Sequence, residues 1–267
     1  MRHSLLRGWE RTIIRRRSRE LASTRGAVNL LLLDSKANYI PSHALILGID
    51  TCGSSGSVAL AHLTGAGIEL LGQTELGGRT YSATLITAIA DLLAQANAAP
   101  AQLHAIVVVN GPGSFTGVRV GLSAAKGLAE AGSIGIVPVS RLEVLARKAK
   151  VPNAALDAHR NEIFLRVDSP GRETAELLAG REELAAVVPA PVEIAVCDDA
   201  AATLLASEWP TVQLHRAQPP TAADALTLCA PRIAAGDFAN IALLDGHYLR
   251  RSDAEIFGEP GSPPRPR

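Results

Sequence analysis

The residues best placed for chemistry lie at two glycine-rich turns. One is Asn110-Gly-Pro-Gly-Ser-Phe-Thr-Gly-Val-Arg-Val-Gly121. It follows the apolar run Ala105–Val109 and opens a helical pattern, so free N–H groups at a helix start could face an anion such as phosphate. Gly111, Gly113, Gly117 and Gly121 do not spell GxGxxG, and no Gly-Lys-Ser/Thr follows, which excludes a P-loop. The alternative is a tight turn in which Gly117 and Gly121 thin a helix for a close neighbour. The second turn runs from Asp50 to Gly56. The Asp50 carboxylate could face a metal-bound phosphate, or accept a backbone hydrogen bond in an Asx-turn. Asp50, Thr51, Gly111, Gly113 and Ser114 together make a candidate degenerate nucleotide or phosphate region.

Other chemistries find no motif. His104, His159, His215 and His247 are scattered, with no HExxH or paired spacing, so metal chemistry has no candidate in the spacing. No GxSxG elbow exists, so a hydrolytic triad cannot be assembled. Cys52, Cys197 and Cys229 are far apart and odd in number, which speaks against a disulfide framework or a zinc site and for a reducing, cytoplasmic setting.

The elements that must hold these turns follow from periodicity. Leu45–Asp50 and Ser57–Ala61 flank the first turn as a hairpin, and Ile68–Leu71 extends it. Leu85, Ile86, Ile89, Leu92 and Leu93 fall at helical spacing and predict a helix over 80–96. Ala105–Val109 reads as a buried strand, followed by the glycine loop, a helix over 117–131 and a strand over Ile134–Val139. Ser140 is a candidate N-cap for a helix through Lys148. Beyond residue 151, Ala154–Asp157 pairs with Ile163–Val167, Val192–Cys197 is a strand, Asp198 or Asp199 caps a helix, and a last helix spans 222–235. Strands that meander and then alternate with helices, twice over, predict an α/β architecture of two similar lobes at 45–150 and 151–257.

Charge is unevenly spread. Residues 1–44 carry nine basic and three acidic side chains, a net of +6. The rest carries 17 basic and 23 acidic, a net of −6. The basic segment is expected to be disordered or foreign to the fold, and the proline-rich tail 258–267 to be disordered. The acidic body does not favour direct RNA binding. No apolar run reaches the ~18–20 residues of a membrane helix.

The loop Asn110–Gly121 resembles the signature of the TsaB (YeaZ) family. Ile46–Thr51 with Ser57–Leu60 resembles that family's first hairpin, Pro138–Ala146 its next helix entry, Asp157–Phe164 its strand–turn–strand, and Tyr248–Glu255 its ending. The resemblance covers about residues 45–257. It implies a two-lobed actin/Hsp70/sugar-kinase-like (ASKHA) ATPase fold. It also implies a non-catalytic scaffold role beside a TsaD-type catalytic subunit and a TsaE-type ATPase. That machinery transfers a threonylcarbamoyl group to N6 of adenosine 37 in tRNAs reading ANN codons. No cofactor is expected on this chain; ATP/ADP and metal are expected on the partner subunits. The implied partner face is the helix pair at 80–96 and 117–131, with Leu85, Ile89, Leu92, Gly117, Val118, Gly121 and Leu122 as interface residues. The chain alone is expected to be able to form a homodimer.

The sequence departs from the family at Tyr81-Ser-Ala83, where His-Ser-Glu is common, and at His159, where an Arg is usual. Cys197-Asp-Asp199 stands where a glycine pair often lies. Side chains and negative charge there oppose a bound phosphate. The enzyme alternatives are a stand-alone ATPase or small-molecule kinase of the same superfamily and, less favoured by its missing motifs, a peptidase.

Overall fold

The computed structural model describes residues 43–77, 80–168 and 171–250. Most of the basic segment and all of the tail 258–267 lie outside the described residues, so the expectations for them have no counterpart here.

The first sheet begins as an antiparallel meander. β1 (His43–Asp50) pairs with β2 (Ser55–Thr64), and β2 with β3 (Gly67–Gly77). β4 (Leu103–Val109) and β5 (Gly135–Val139) then add parallel on the other side of β1, giving the order β3-β2-β1-β4-β5. The second sheet repeats the plan. β6 (Ala154–Asp157), β7 (Ile163–Val167) and β8 (Ala175–Ala179) form the meander, and β9 (Glu193–Val196) and β10 (Gln213–Arg216) add parallel beside β6. The expected two similar α/β lobes are therefore present. β1 begins at His43, two residues before the expected start at Leu45. The sequence reading did not contain β8 or β10, whose short runs lack a sustained alternation.

Six helices accompany the described strands: α1 (Tyr81–Gln95), α2 (Phe115–Gly132), α3 (Arg141–Ala149), α4 (Arg181–Ala186), α5 (Asp199–Glu208) and α6 (Ala222–Ala234). Their starts follow local chemistry. Ser114, Ser140 and Asp198 each accept a hydrogen bond from a backbone N–H of the helix they open, and Thr221 caps α6 with Asp224. Asp198, not Asp199, is the cap of α5.

Both faces of each sheet are covered, which is why the central strands read as unbroken apolar runs. Gly48 and Ile49 are consecutive on β1 and so point to opposite faces. Gly48 lies beneath Ala222 and Leu226 of α6, whereas Ile49 faces Gly121 of α2. In the second sheet Ala155, Ile163 and Leu165 pack with Leu184 of α4 and Leu205 of α5. The alternate residues Ala154, Leu156 and Phe164 pack with Leu142 and Leu145 of α3.

This packing corrects the division at residue 150. Helix α3, expected in the first lobe, covers the second sheet, and α6, expected in the second, covers the first. The two helices touch, and Lys148 Nζ sits 2.7 Å from Asp224 Oδ2 between them. Sequence order cannot reveal this, because an apolar stripe does not say which sheet it covers. Among the described residues no helix is long and apolar enough to cross a membrane.

Leu145 is fully buried at the α3–second sheet contact. Leu145→Ala should therefore lower the unfolding free energy by about 2–5 kcal/mol, measured by denaturant titration.

Candidate functional site

The two glycine-rich turns meet. The β1–β2 turn carries Asp50, Thr51 and Cys52 against the loop that joins β4 to α2. Ser114 N donates to Cys52 O at 2.8 Å, and Thr51 Oγ1 donates to Gly117 O at 2.7 Å. A Cβ at Gly113 would overlap the Cys52 carbonyl, and one at Gly117 the Thr51 carbonyl. One at Gly121 would strike the Thr51 hydroxyl. The glycines thus serve close packing, and what they admit is the chain's own turn.

Asp50 is wholly buried. Its Oδ1 accepts from Cys52 N at 2.8 Å, the Asx-turn arrangement. Its Oδ2 lies 3.5 Å from Arg141 Nε, an ion pair longer than a good hydrogen bond. Burial works against the Arg141 charge, but the field of Asp50 outweighs it and holds the guanidinium pKa above its ordinary value. Arg141 is held from behind, since its N–H donates to Gly111 O at 2.6 Å.

The neighbouring groups are quiet. Burial, then the Asp50 charge, pushes the Cys52 thiol well above its usual range, and its Sγ lies 3.1 Å from Val109 O. It is therefore a neutral thiol and a poor nucleophile. Tyr81, at the residue where the family resemblance expects His, donates its hydroxyl to Gly53 O at 2.9 Å. Its pKa is pushed up to about 12, chiefly by burial.

The five residues of the candidate phosphate region, Asp50, Thr51, Gly111, Gly113 and Ser114, are therefore together. Their polar groups are taken up by neighbouring parts of the chain: Ser114 Oγ accepts from Gly117 N, and Gly111 lies against the His247 carbonyl. Cys197-Asp-Asp199 is also accounted for locally. Asp198 accepts from Ala201 N at 2.7 Å and from Asp157 N at 3.0 Å, so it caps α5 and pins the end of β6.

A second cluster joins the lobes. Glu176 of β8 receives Ser140 Oγ at 2.6 Å and Arg166 Nη1 at 2.8 Å, and its Oε2 lies 2.9 Å from His247 Nε2. Burial raises the Glu176 pKa, but the bonds from His247, Ser140 and Arg166 outweigh it and leave the carboxyl below its ordinary value. His247 N in turn donates to Asn110 O at 2.7 Å. The clasp thus runs from the second sheet to the glycine loop. Arg141, Arg166, Glu176 and His247 were missed from sequence. Only Arg141 had a signal, directly after the cap Ser140, and no periodicity marks an Arg as buried.

The expected interface residues, read as apolar surface shared with the core or a partner, fall on the core side. Leu85, Ile89, Leu92, Val118 and Leu122 lie in the protein's own core, as do Gly117 and Gly121. Helical periodicity finds the stripe the core needs, and that stripe is not left for a partner. The same two helices do expose other apolar groups. Ile86 is 57% exposed and Phe115 36%. With Tyr81, Val120 and Ala124 they line an open groove of about 570 Å³ between α1 and α2. The Arg119 guanidinium stacks 3.7 Å over the Phe115 ring at its rim.

Two predictions follow from these charges. Arg141→Ala should cost about 3–5 kcal/mol, because it leaves Asp50 buried and unpaired, while Asp50→Asn with Arg141→Met should recover part of that loss in urea unfolding. Glu176 has a lowered pKa in the folded state, so the clasp contributes stability above the unfolded-state pKa. That contribution fades as pH falls below the ordinary value of 4.5 and through the lower folded value. The gap in melting temperature between the natural chain and Glu176→Gln should shrink over that range in thermal scans.

Comparison with known proteins agrees with this fold. Residues 73–182 match the family model described as TsaD, tRNA N6-adenosine threonylcarbamoyltransferase. The tRNA threonylcarbamoyladenosine biosynthesis protein TsaB of Haemophilus influenzae is 35% identical over 125 residues, covering 45% of this chain and 51% of that protein. Its namesake in Escherichia coli is 32% identical over 125 residues, covering 45% and 52%. The chain spans about half the length of these curated relatives in the match. The solved structure of YeaZ from Pseudomonas aeruginosa superposes with a TM-score of 0.61 at 25% identity, over 77% of this chain and all of that one. With its two-sheet ASKHA-like architecture, the chain is similar in sequence and fold to proteins of the TsaB (YeaZ) family.

Proposed function

We propose that this chain is an accessory subunit of the machinery that makes threonylcarbamoyladenosine in tRNA, and that it acts by docking a TsaD-type catalytic subunit. The observation that carries the docking reading is the α1–α2 groove. An exposed Ile86 beside Phe115 is apolar area that the core has not used. The tRNA reading rests on the names of the relatives. In this reading the partner transfers the threonylcarbamoyl group to N6 of adenosine 37 in tRNAs reading ANN codons. A TsaE-type ATPase joins the pair, and nucleotide and metal belong to those subunits. The net charge of −6 over residues 45–267 supports RNA contact through the complex rather than through this chain. Without a partner, the same groove pairs two copies.

The absence of an independent catalytic role is supported by the fate of the polar groups at the turns. The Asp50 carboxylate, which a kinase would direct at a metal-bound phosphate, is taken by Arg141 and Cys52 N. Calorimetry with ATP and magnesium separates the readings: tight binding by the isolated chain would favour the kinase or ATPase alternative.

Ile86→Asp should leave folding intact, because the side chain is exposed, yet weaken co-purification with the TsaD-type subunit by at least about tenfold. The same variant should reduce modification in a mixture of this chain, both partners, tRNA and the threonylcarbamoyl donor. A mixture lacking the chain that modifies tRNA equally well would refute the accessory role.

A further inference from the structure

We infer that His43, His62 and Glu69 form a binding site for a transition-metal ion, with zinc the fitting occupant, on the outer meander of the first sheet. This stands apart from the docking reading and from the glycine turns.

Strand register brings the three together. Leu45 pairs with His62 across β1–β2, and His43 with Thr64, so His43 and His62 are diagonal neighbours on one face. His62 pairs directly with Glu69 across β2–β3. Each of three adjacent strands therefore contributes one ligand to a row. The two imidazole rings stand edge to face, with centroids 6.0 Å apart. One ligand atom from each residue lies within 4.8 Å of the others.

The three side chains are uncommitted. Among the described residues none of these side chains takes part in a hydrogen bond or an ion pair, and the two imidazole rings contact each other. Zinc bonds of about 2.0–2.2 Å put tetrahedral ligands roughly 3.3 Å apart. Closing to that spacing needs only side-chain rotation, and His43 and Glu69 are exposed and free to rotate. The sheet beneath is rigid, because Ala44 to Asp50 of β1 are buried.

The ligand set decides the class of ion. Two imidazoles with one carboxylate suit zinc and its neighbours, and not magnesium or calcium, which take oxygen ligands. Three protein ligands leave one position open. His43 and His62 border a cleft of about 420 Å³ that Leu71, Asn97, Gln102 and His104 also line, which gives that position access to water or a small anion. A bound ion ties the edge strand β3 to β2 and β1. Sequence spacing hid the site, because its members are joined by register and not by a local motif.

The test uses the full chain without a histidine tag, titrated with zinc chloride by calorimetry and followed by thermal scans. One equivalent should bind and raise the melting temperature. His43→Ala and Glu69→Gln alter exposed positions and should keep the fold by circular dichroism, yet each should bind at least about tenfold more weakly. Cobalt should give d–d bands without the sulfur charge-transfer band that ligation by the half-buried Cys197 would produce. Failure to saturate by about 1 mM zinc overturns the assignment. So does unchanged affinity in both variants, or a sulfur band.

Discussion

Asp50 and Arg141 are opposite charges in a place that water does not reach, and each makes the other tolerable there. A buried charge without its partner is among the more destabilising features a protein can carry. The pair therefore constrains everything around it. Ser140 must start α3 just below the β1–β2 turn, so that the next residue can reach Asp50. Gly53 must lack a side chain, because a Cβ there would overlap the guanidinium. Gly111 must offer its carbonyl to the Arg141 N–H. Once α3 starts there, its apolar stripe runs under the second sheet, and the lobes are set.

The Glu176 clasp completes that arrangement from the other side. It ties β8 to the cap of α3 and, through His247, to Asn110 of the glycine loop. Between the ion pair and the clasp, the polar groups of the turns are taken up in holding the chain to itself. Near them the α1–α2 groove exposes the apolar Ile86 and Phe115. This division suits the proposed role of a subunit that presents a shaped face rather than a reactive group.

Much of the fold was legible in the sequence, for physical reasons that also mark its limits. Unbroken apolar runs located β1, β2 and β4, and the helical period located α1, because burial imposes those patterns. Short polar caps located the start of α3 at Ser140 and that of α5 at Asp198 or Asp199. Gly117 and Gly121 of the 110–121 loop were read as packing residues, and the neighbour they admit is Thr51 of the same chain. The same logic chose buried residues for the partner face. Leu85, Ile86 and Ile89 all entered the helical signal, yet the core uses only Leu85 and Ile89, while Ile86 sits at the edge of the stripe and stays exposed. The Glu176 clasp was invisible, since its members are joined by tertiary contacts that no local pattern encodes.

The exchange of helices between the sheets bears on how the chain acquires its structure. The face of the first sheet that holds Gly48 is closed by Ala222 and Leu226 of α6, more than a hundred and fifty residues later in the chain. During synthesis from the first strand onward, that face stays open until the second lobe has been made. The halves are therefore interdependent in time as well as in space. Repeated topology makes each half look like a domain, yet neither half alone carries the helix its own sheet needs.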